Sequence, residues 1–174
     1  MSEPSAKLSV LTGKDFACVK IAGWAKFDSS IDFRVLVNEL LQRGCPLFVL
    51  ELSECMLMDS TFLGVLTGFG LRTSQARKDG GGPVIELLNP NTRIVGQLEE
   101  LGVLHLFRVS QGTLCAPDGT ESRVHEHIAS PKEEVQRACL EAHRTLMEAN
   151  PQNVPKFKDL TQFLAEDLKK GKSG

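Results

Sequence analysis

The sequence predicts an α/β protein: a mixed, mostly parallel β-sheet packed with α-helices and followed by a C-terminal helical extension. Three observations carry this. Residues 47–52 (Leu-Phe-Val-Leu-Glu-Leu) form a short, branched, apolar run of the kind found in a sheet interior, and an apolar run of about four turns begins at Phe62. Strand-like and helix-like segments then alternate as far as residue 109, which places parallel strands between crossover helices. After residue 130 the periodicity becomes purely helical.

The elements follow in order. Residues 8–12 and 16–22, separated by Gly13-Lys14-Asp15, read as an opening hairpin. After Asp28, Ser29 or Ser30 is the expected cap of a helix with Phe33, Val37, Leu40 and Leu41 on one face, stopped by Gly44 and Pro46. The strand at 47–52 leads to Asp59-Ser60-Thr61, where Asp59 or Ser60 is the expected N-cap of a helix reaching Arg77. A strand at 84–88, a helix at 91–101 and a strand at 104–109 complete the core. Ser130-Pro131-Lys132-Glu133 reads as a capping box with proline at the first helical position, opening a helix with Val135, Cys139, Ala142 and Leu146 on one face. Pro151 and Pro155 interrupt it before a second stripe of Phe157, Leu160, Phe163, Leu164 and Leu168. The expected organisation is a core over 1–112, a linker or edge hairpin over 113–129, and a two-helix extension over 130–174.

Composition narrows the function. With 174 residues and 41% apolar content the chain can bury an ordinary core. A net charge of −2 offers no basic face for nucleic acid, and the absence of Tyr leaves no evident base-stacking platform. No stretch approaches the roughly 20 apolar residues of a membrane span, and residues 1–5 carry no basic-then-apolar signal, so the cytoplasm is the expected location. Five cysteines (Cys18, Cys45, Cys55, Cys115 and Cys139) with no Cys-x-x-Cys pair predict reduced, mostly buried thiols.

Several motifs take ordinary readings. Gly64-x-x-x-Gly68 predicts close packing of its helix on the sheet, and Gly80-Gly81-Gly82 precedes a strand without a following Gly-Lys-Ser/Thr, so it reads as a turn. His125-Glu126-His127, with Glu121, has zinc-ligating residue types but is expected to be a solvated linker, so no metal is assigned. His105, expected as a partly buried strand residue, and His143, in the C-terminal helix, have no Ser or Cys at a recognisable spacing. No catalytic residue or cofactor is assigned. Lys169, Lys170 and Lys172 read as a frayed, basic helix end.

From chemistry alone, Asp59-Ser60-Thr61 is a helix cap. The segment from Met58 to Gly64 (Met-Asp-Ser-Thr-Phe-Leu-Gly), with residues 80–90, Arg93-Ile94-Val95 and the run 98–107, resembles the STAS domains. The resemblance is to the bacterial anti-sigma factor antagonists, whose regulatory serine lies in a Met-Asp-Ser-Ser-Gly-Leu-Gly-like segment, and it covers roughly residues 7–110. Phe62 stands where that family has a small residue, and residues 23–28 (Gly-Trp-Ala-Lys-Phe-Asp) replace its Gly-Glu-Leu/Ile-Asp sequence. The resemblance implies a non-enzymatic regulator that binds a serine-kinase anti-sigma factor when Ser60 is bare and so frees a sigma factor. Ser60 would be the phosphoacceptor and Thr61 the lesser alternative. Asp59, Ser60, Thr61 and Phe62, with the residues preceding the first helix, would form the partner surface, and ATP and magnesium would belong to the kinase. A second implication is a STAS subunit of a stress-signalling or lipid-transport assembly, for which the C-terminal helices would offer a dimer interface.

Overall fold

The computed structural model describes residues 6–172 apart from Cys115 and Pro117; the first five residues, the last two and the Lys172 side chain also lie outside that description. Strands β1 (Lys7–Thr12) and β2 (Phe16–Ala25) form the antiparallel hairpin, and β3 (Leu47–Glu51), β5 (Val84–Leu88) and β6 (Arg108–Ser110) join in parallel. The order is β6-β5-β3-β2-β1-β7, with β7 (Glu121–His125) antiparallel on β1, while β4 (Cys55–Met58) pairs in parallel with the far end of β2.

β2 reaches both β3 and β4 because a bulge at Gly23 and Trp24, with Gly23 at φ 96, turns the strand between its two partners. The sequence pattern missed β4, whose four residues are too few to establish a period. The expected strand at 104–109 divides into a 3₁₀ turn over Leu104–Leu106, with His105 exposed, and the short β6.

The main core lies between one face of the sheet and the helices, and a smaller cluster of Cys18, Val49 and Leu88 forms on the other face. Helix α1 (Phe27–Leu41) starts earlier than either candidate cap serine. Lys26 is the N-cap residue, and Ser29 Oγ lies in the first turn, accepting from Lys26 N at 3.3 Å and donating to Lys26 O at 3.0 Å. Helix α2 (Ser60–Lys78) buries Phe62 completely, and its ring meets Phe33 of α1 with centroids 4.8 Å apart. Phe62 is therefore a core ring and presents nothing to a partner, contrary to the expectation; Thr61, 4% exposed, presents almost nothing.

Helix α3 (Thr92–Glu100) is capped by Asn91, whose Oδ1 accepts from Ile94 N at 2.8 Å. The Asn91 amide also donates to the carbonyls of Cys55 and Met56, and Gln97 donates to Met58 O at 2.9 Å, so α3 holds β4 in place.

Helix α4 (Lys132–Ala149) begins at Lys132 with Pro131 as N-cap residue and no side-chain cap, so Ser130 forms no capping box. A proline φ of −58 already directs the chain into the helix. Helix α5 (Val154–Lys172) follows one 3₁₀ turn, with Pro155 inside its first turn, where a missing N–H costs little. It stays helical through Lys172 instead of fraying at the lysines. Asn153, fully buried, donates to Leu101 O at 3.0 Å and Leu146 O at 2.9 Å, which ties this turn to the core.

The contact between α2 and α4 is the closest in the molecule to a backbone seam. A Cβ on Gly64 would overlap the carbonyl of Ala142, so this glycine packs on a helix and not, as expected, on the sheet. At Gly68 a Cβ would meet only Thr145 Cγ2, at 3.6 Å. Gly→Ala in a helix gains up to about 1 kcal/mol in propensity, whereas overpacking costs about 1–3 kcal/mol. Gly68→Ala should therefore raise the urea midpoint and Gly64→Ala lower it; a rise in both would show that α4 does not seat on Gly64.

Candidate functional site

The site is built at the corner where β4 becomes α2. Asp59 is the N-cap of α2, and its Oδ1 accepts from Phe62 N at 2.8 Å. Its second oxygen accepts from Phe27 N, the first residue of α1, at 2.7 Å. One carboxylate thus terminates two helices 32 residues apart in sequence. Burial pushes the Asp59 carboxyl above its ordinary value of 3.8, and the N–H groups of Phe62 and Phe27, with His143, offset that only in part.

Ser60 follows as the first residue of α2, half-buried. Its Oγ lies 2.8 Å from Nε2 of His143 on α4, whose side chain is buried at 1% exposure. His143 Nδ1 lies 2.7 Å from the carbonyl oxygen of Cys139; a carbonyl only accepts, so Nδ1 carries a proton. In the neutral ring Nε2 is then the acceptor and Ser60 the donor. Thr61 Oγ1 sits 3.2 Å from Cys139 Sγ, and Phe157 of α5 closes over the imidazole with ring centroids 5.0 Å apart.

No spacing pattern linked His143 to a serine, and the fold supplies the pairing. Ser60 lies 83 residues away, a separation at which no spacing rule operates. Chemically, Nε2 can take the hydroxyl proton as Ser60 Oγ attacks an electrophile such as a phosphoryl group. Its orienting partner is a backbone carbonyl, which holds the ring but adds no charge.

Two exposed apolar side chains belong to the same corner: Phe27, 48% exposed, among the residues expected to precede the first helix, and Met56 on β4, 59% exposed, which was not singled out from sequence. A cavity of about 340 Å³ opens beside Ser60, with Leu63, Gln97 and Leu101 on one wall and Lys156 and Phe157 of α5 on another.

The remaining candidates lie elsewhere. His125 and His127 do not form a solvated linker. His127 Nδ1 is 2.5 Å from Asp32 Oδ2, and His125 Nε2 is 3.8 Å from Asp32 Oδ1, a carboxylate on α1 that is 6% exposed. Among the described residues no group of three or more His, Cys, Asp or Glu is placed to hold a metal ion, and no helix is long and apolar enough to cross a membrane. Cys18 and Cys55 are buried, and that burial pushes their thiols up to about 12 and about 11. Cys45 and Cys139 are half-buried and free.

No protein-family profile and no curated protein matches the chain. Among solved structures, it overlays a proposed anti-sigma factor antagonist from Thermotoga maritima with a TM-score of 0.51 at 19% identity, covering 60% of this chain and 86% of that one. The fold is that of the STAS domain. Looser overlays are found with the anti-sigma factor antagonist SpoIIAA in its unphosphorylated form (TM-score 0.44, 14% identity, 63% and 89% covered). The phosphorylated Bacillus cell fate determinant SpoIIAA gives a TM-score of 0.46 at 16% identity, with 62% and 91% covered. At these identities the likeness is one of architecture, and the chemistry of the STAS corner in this chain is carried by its own Asp59, Ser60 and His143.

A lost cap costs about 1 kcal/mol, so Asp59→Ala, which removes two, should lower stability by about 2 kcal/mol in urea unfolding. The pH dependence has a definite sign. A carboxyl that holds its proton more tightly when folded contributes stability that falls as pH rises upward from 3.8. Asp59→Asn should flatten that decline relative to the parent; parallel profiles would show that burial does not govern this group.

Proposed function

We propose that this chain is a non-enzymatic, protein-binding regulator of the anti-sigma factor antagonist kind. In this reading it binds a serine-kinase anti-sigma factor while Ser60 is unphosphorylated, so that a sigma factor is freed, and lets go once Ser60 carries phosphate. The observation that carries the reading is the placement of Ser60. Its hydroxyl is the first of α2, beside a basic nitrogen, at a corner where Phe27 and Met56 leave apolar surface open.

Each feature has a role in such a cycle. His143 Nε2 accepts the hydroxyl proton when Ser60 Oγ takes the phosphoryl group, and the first N–H groups of α2 favour the anion that results. ATP and magnesium belong to the kinase. Thr61, turned inward on Cys139, is the poorer acceptor. Asp59 positions the serine through its two backbone bonds, and Phe62 acts from within the core by fixing the angle between α1 and α2.

The test pairs Ser60→Ala with Ser60→Asp, since both remove the hydroxyl and only one adds charge. In titrations against a histidine-kinase-like anti-sigma factor, Ser60→Asp should bind at least about tenfold more weakly, or about 1.4 kcal/mol. Equal affinities would count against a charge-operated switch. Intact-mass and phosphopeptide analysis of the protein from its own cells, with Ser60 and Thr61 resolved by fragmentation, should locate the phosphate on Ser60.

A second reading, a constitutive subunit of a larger assembly, rests on α5. Its stripe divides: Phe157 packs on His143 and Leu164 is buried, while Val154, Leu160 and Phe163 face outward at 38%, 40% and 64% exposure. If that face is an interface between copies, light scattering should give a dimer mass that falls to the monomer value in Leu160→Glu/Phe163→Glu. A monomer mass in the parent would remove self-association from this reading.

A further inference from the structure

The two C-terminal helices bring a second set of groups to Ser60, and their chemistry suits the phosphorylated form better than the free hydroxyl. His143 is the closest. Its Nδ1 stays bonded to the Cys139 carbonyl whether the ring is neutral or protonated, so Nε2 alone changes role. It accepts from the Ser60 hydroxyl now and, as an imidazolium, would donate to a phosphate oxygen from the same position with no rotation of the ring.

Lys156 on α5 lines the cavity beside Ser60. Its Nζ donates to the carbonyl oxygen of Glu100 at 3.2 Å, and it has no carboxylate partner among the described residues. A side chain held by one neutral acceptor can swing to an anion at little cost. Two carboxylates line the same cavity and oppose an anion there. Both Asp59 oxygens, however, are engaged by backbone N–H groups, and Glu100 is exposed at the rim.

We propose that His143 and Lys156 form a phosphate pocket in cis, which receives the phosphoryl group carried on Ser60 and draws α4 and α5 more tightly over that corner. Phosphorylation would then end partner binding by closing the chain's own helices over the site, and not by repelling the partner alone. The inference rests on Ser60 being the phosphoacceptor, as argued above.

The test installs phosphoserine at position 60 of the full chain by genetic encoding, so it does not depend on whether any kinase modifies Ser60 in cells. The phosphorus-31 resonance is then followed against pH. In the folded phosphoprotein the phosphate should bind its last proton about three-fold or more weakly than in the same protein unfolded in urea, because two cations favour the dianion. His143→Gln and Lys156→Met should each restore part of that proton affinity. Lys156 is exposed, so its variant folds even if the His143 variant does not. Amide exchange over residues 132–172 should slow on phosphorylation. Equal proton affinity in the folded and unfolded chains, indifference to Lys156→Met, or faster exchange in α4 and α5 would each overturn the pocket.

Discussion

The corner depends on a single carboxylate. Asp59 satisfies the first turn of α2 with one oxygen and the first residue of α1 with the other, so the positions of the two helices are coupled through one side chain. Capping usually stabilises the ionised carboxyl, yet here burial is the larger influence and the carboxyl is pushed upward. The same carboxylate nevertheless caps both helix starts, at about 1 kcal/mol for each cap. The Phe33 and Phe62 rings lie between the helices that Asp59 joins, so the cap and the core contact reinforce one another.

A second constraint acts from the opposite side of α2. The absence of a side chain at Gly64 lets the backbone of α4 approach, and that approach puts His143 within 2.8 Å of Ser60. The Ser60 hydroxyl is accordingly not a free surface group. A partner that engages it must displace a hydrogen bond of about 1 kcal/mol net, which is small beside the affinity of a specific interface. Leu146 of α4 belongs to the core, while α5 meets the corner through Phe157 and is preceded by the buried Asn153.

Much of this architecture was legible in the sequence, and what was not shares one cause. The hairpin, the run at 47–52, the long helix from Ser60 and the strand at 84–88 announce themselves through local period, because side-chain burial repeats every two residues in a strand and every 3.6 in a helix. Asp59 was recognisable as a cap and Ser60 as a hydroxyl at the helix start. Their partners were not. Phe27 is capped from 32 residues away, His143 meets Ser60 across 83, and His127 meets Asp32 across 95. Periodicity reports that a side chain is buried but carries no information about which distant group it meets. Phe62 shows the converse error: a bulky residue where the resemblance has a small one read as an altered surface, whereas the space came from inside, where Phe33 receives it.

The choice of imidazole at position 143 has a physical logic. A lysine or arginine in that place has no acceptor atom, so the Ser60 hydroxyl could no longer donate there. An amide side chain would satisfy the hydroxyl but bring no charge to a phosphate. Imidazole alone offers both roles at one nitrogen: Nε2 accepts from the Ser60 hydroxyl and, if protonated, would donate from the same place. The carbonyl of Cys139 completes the arrangement by fixing the ring through the nitrogen that never changes role. One ring position can therefore meet the serine as acceptor or as donor, with the change confined to a single nitrogen.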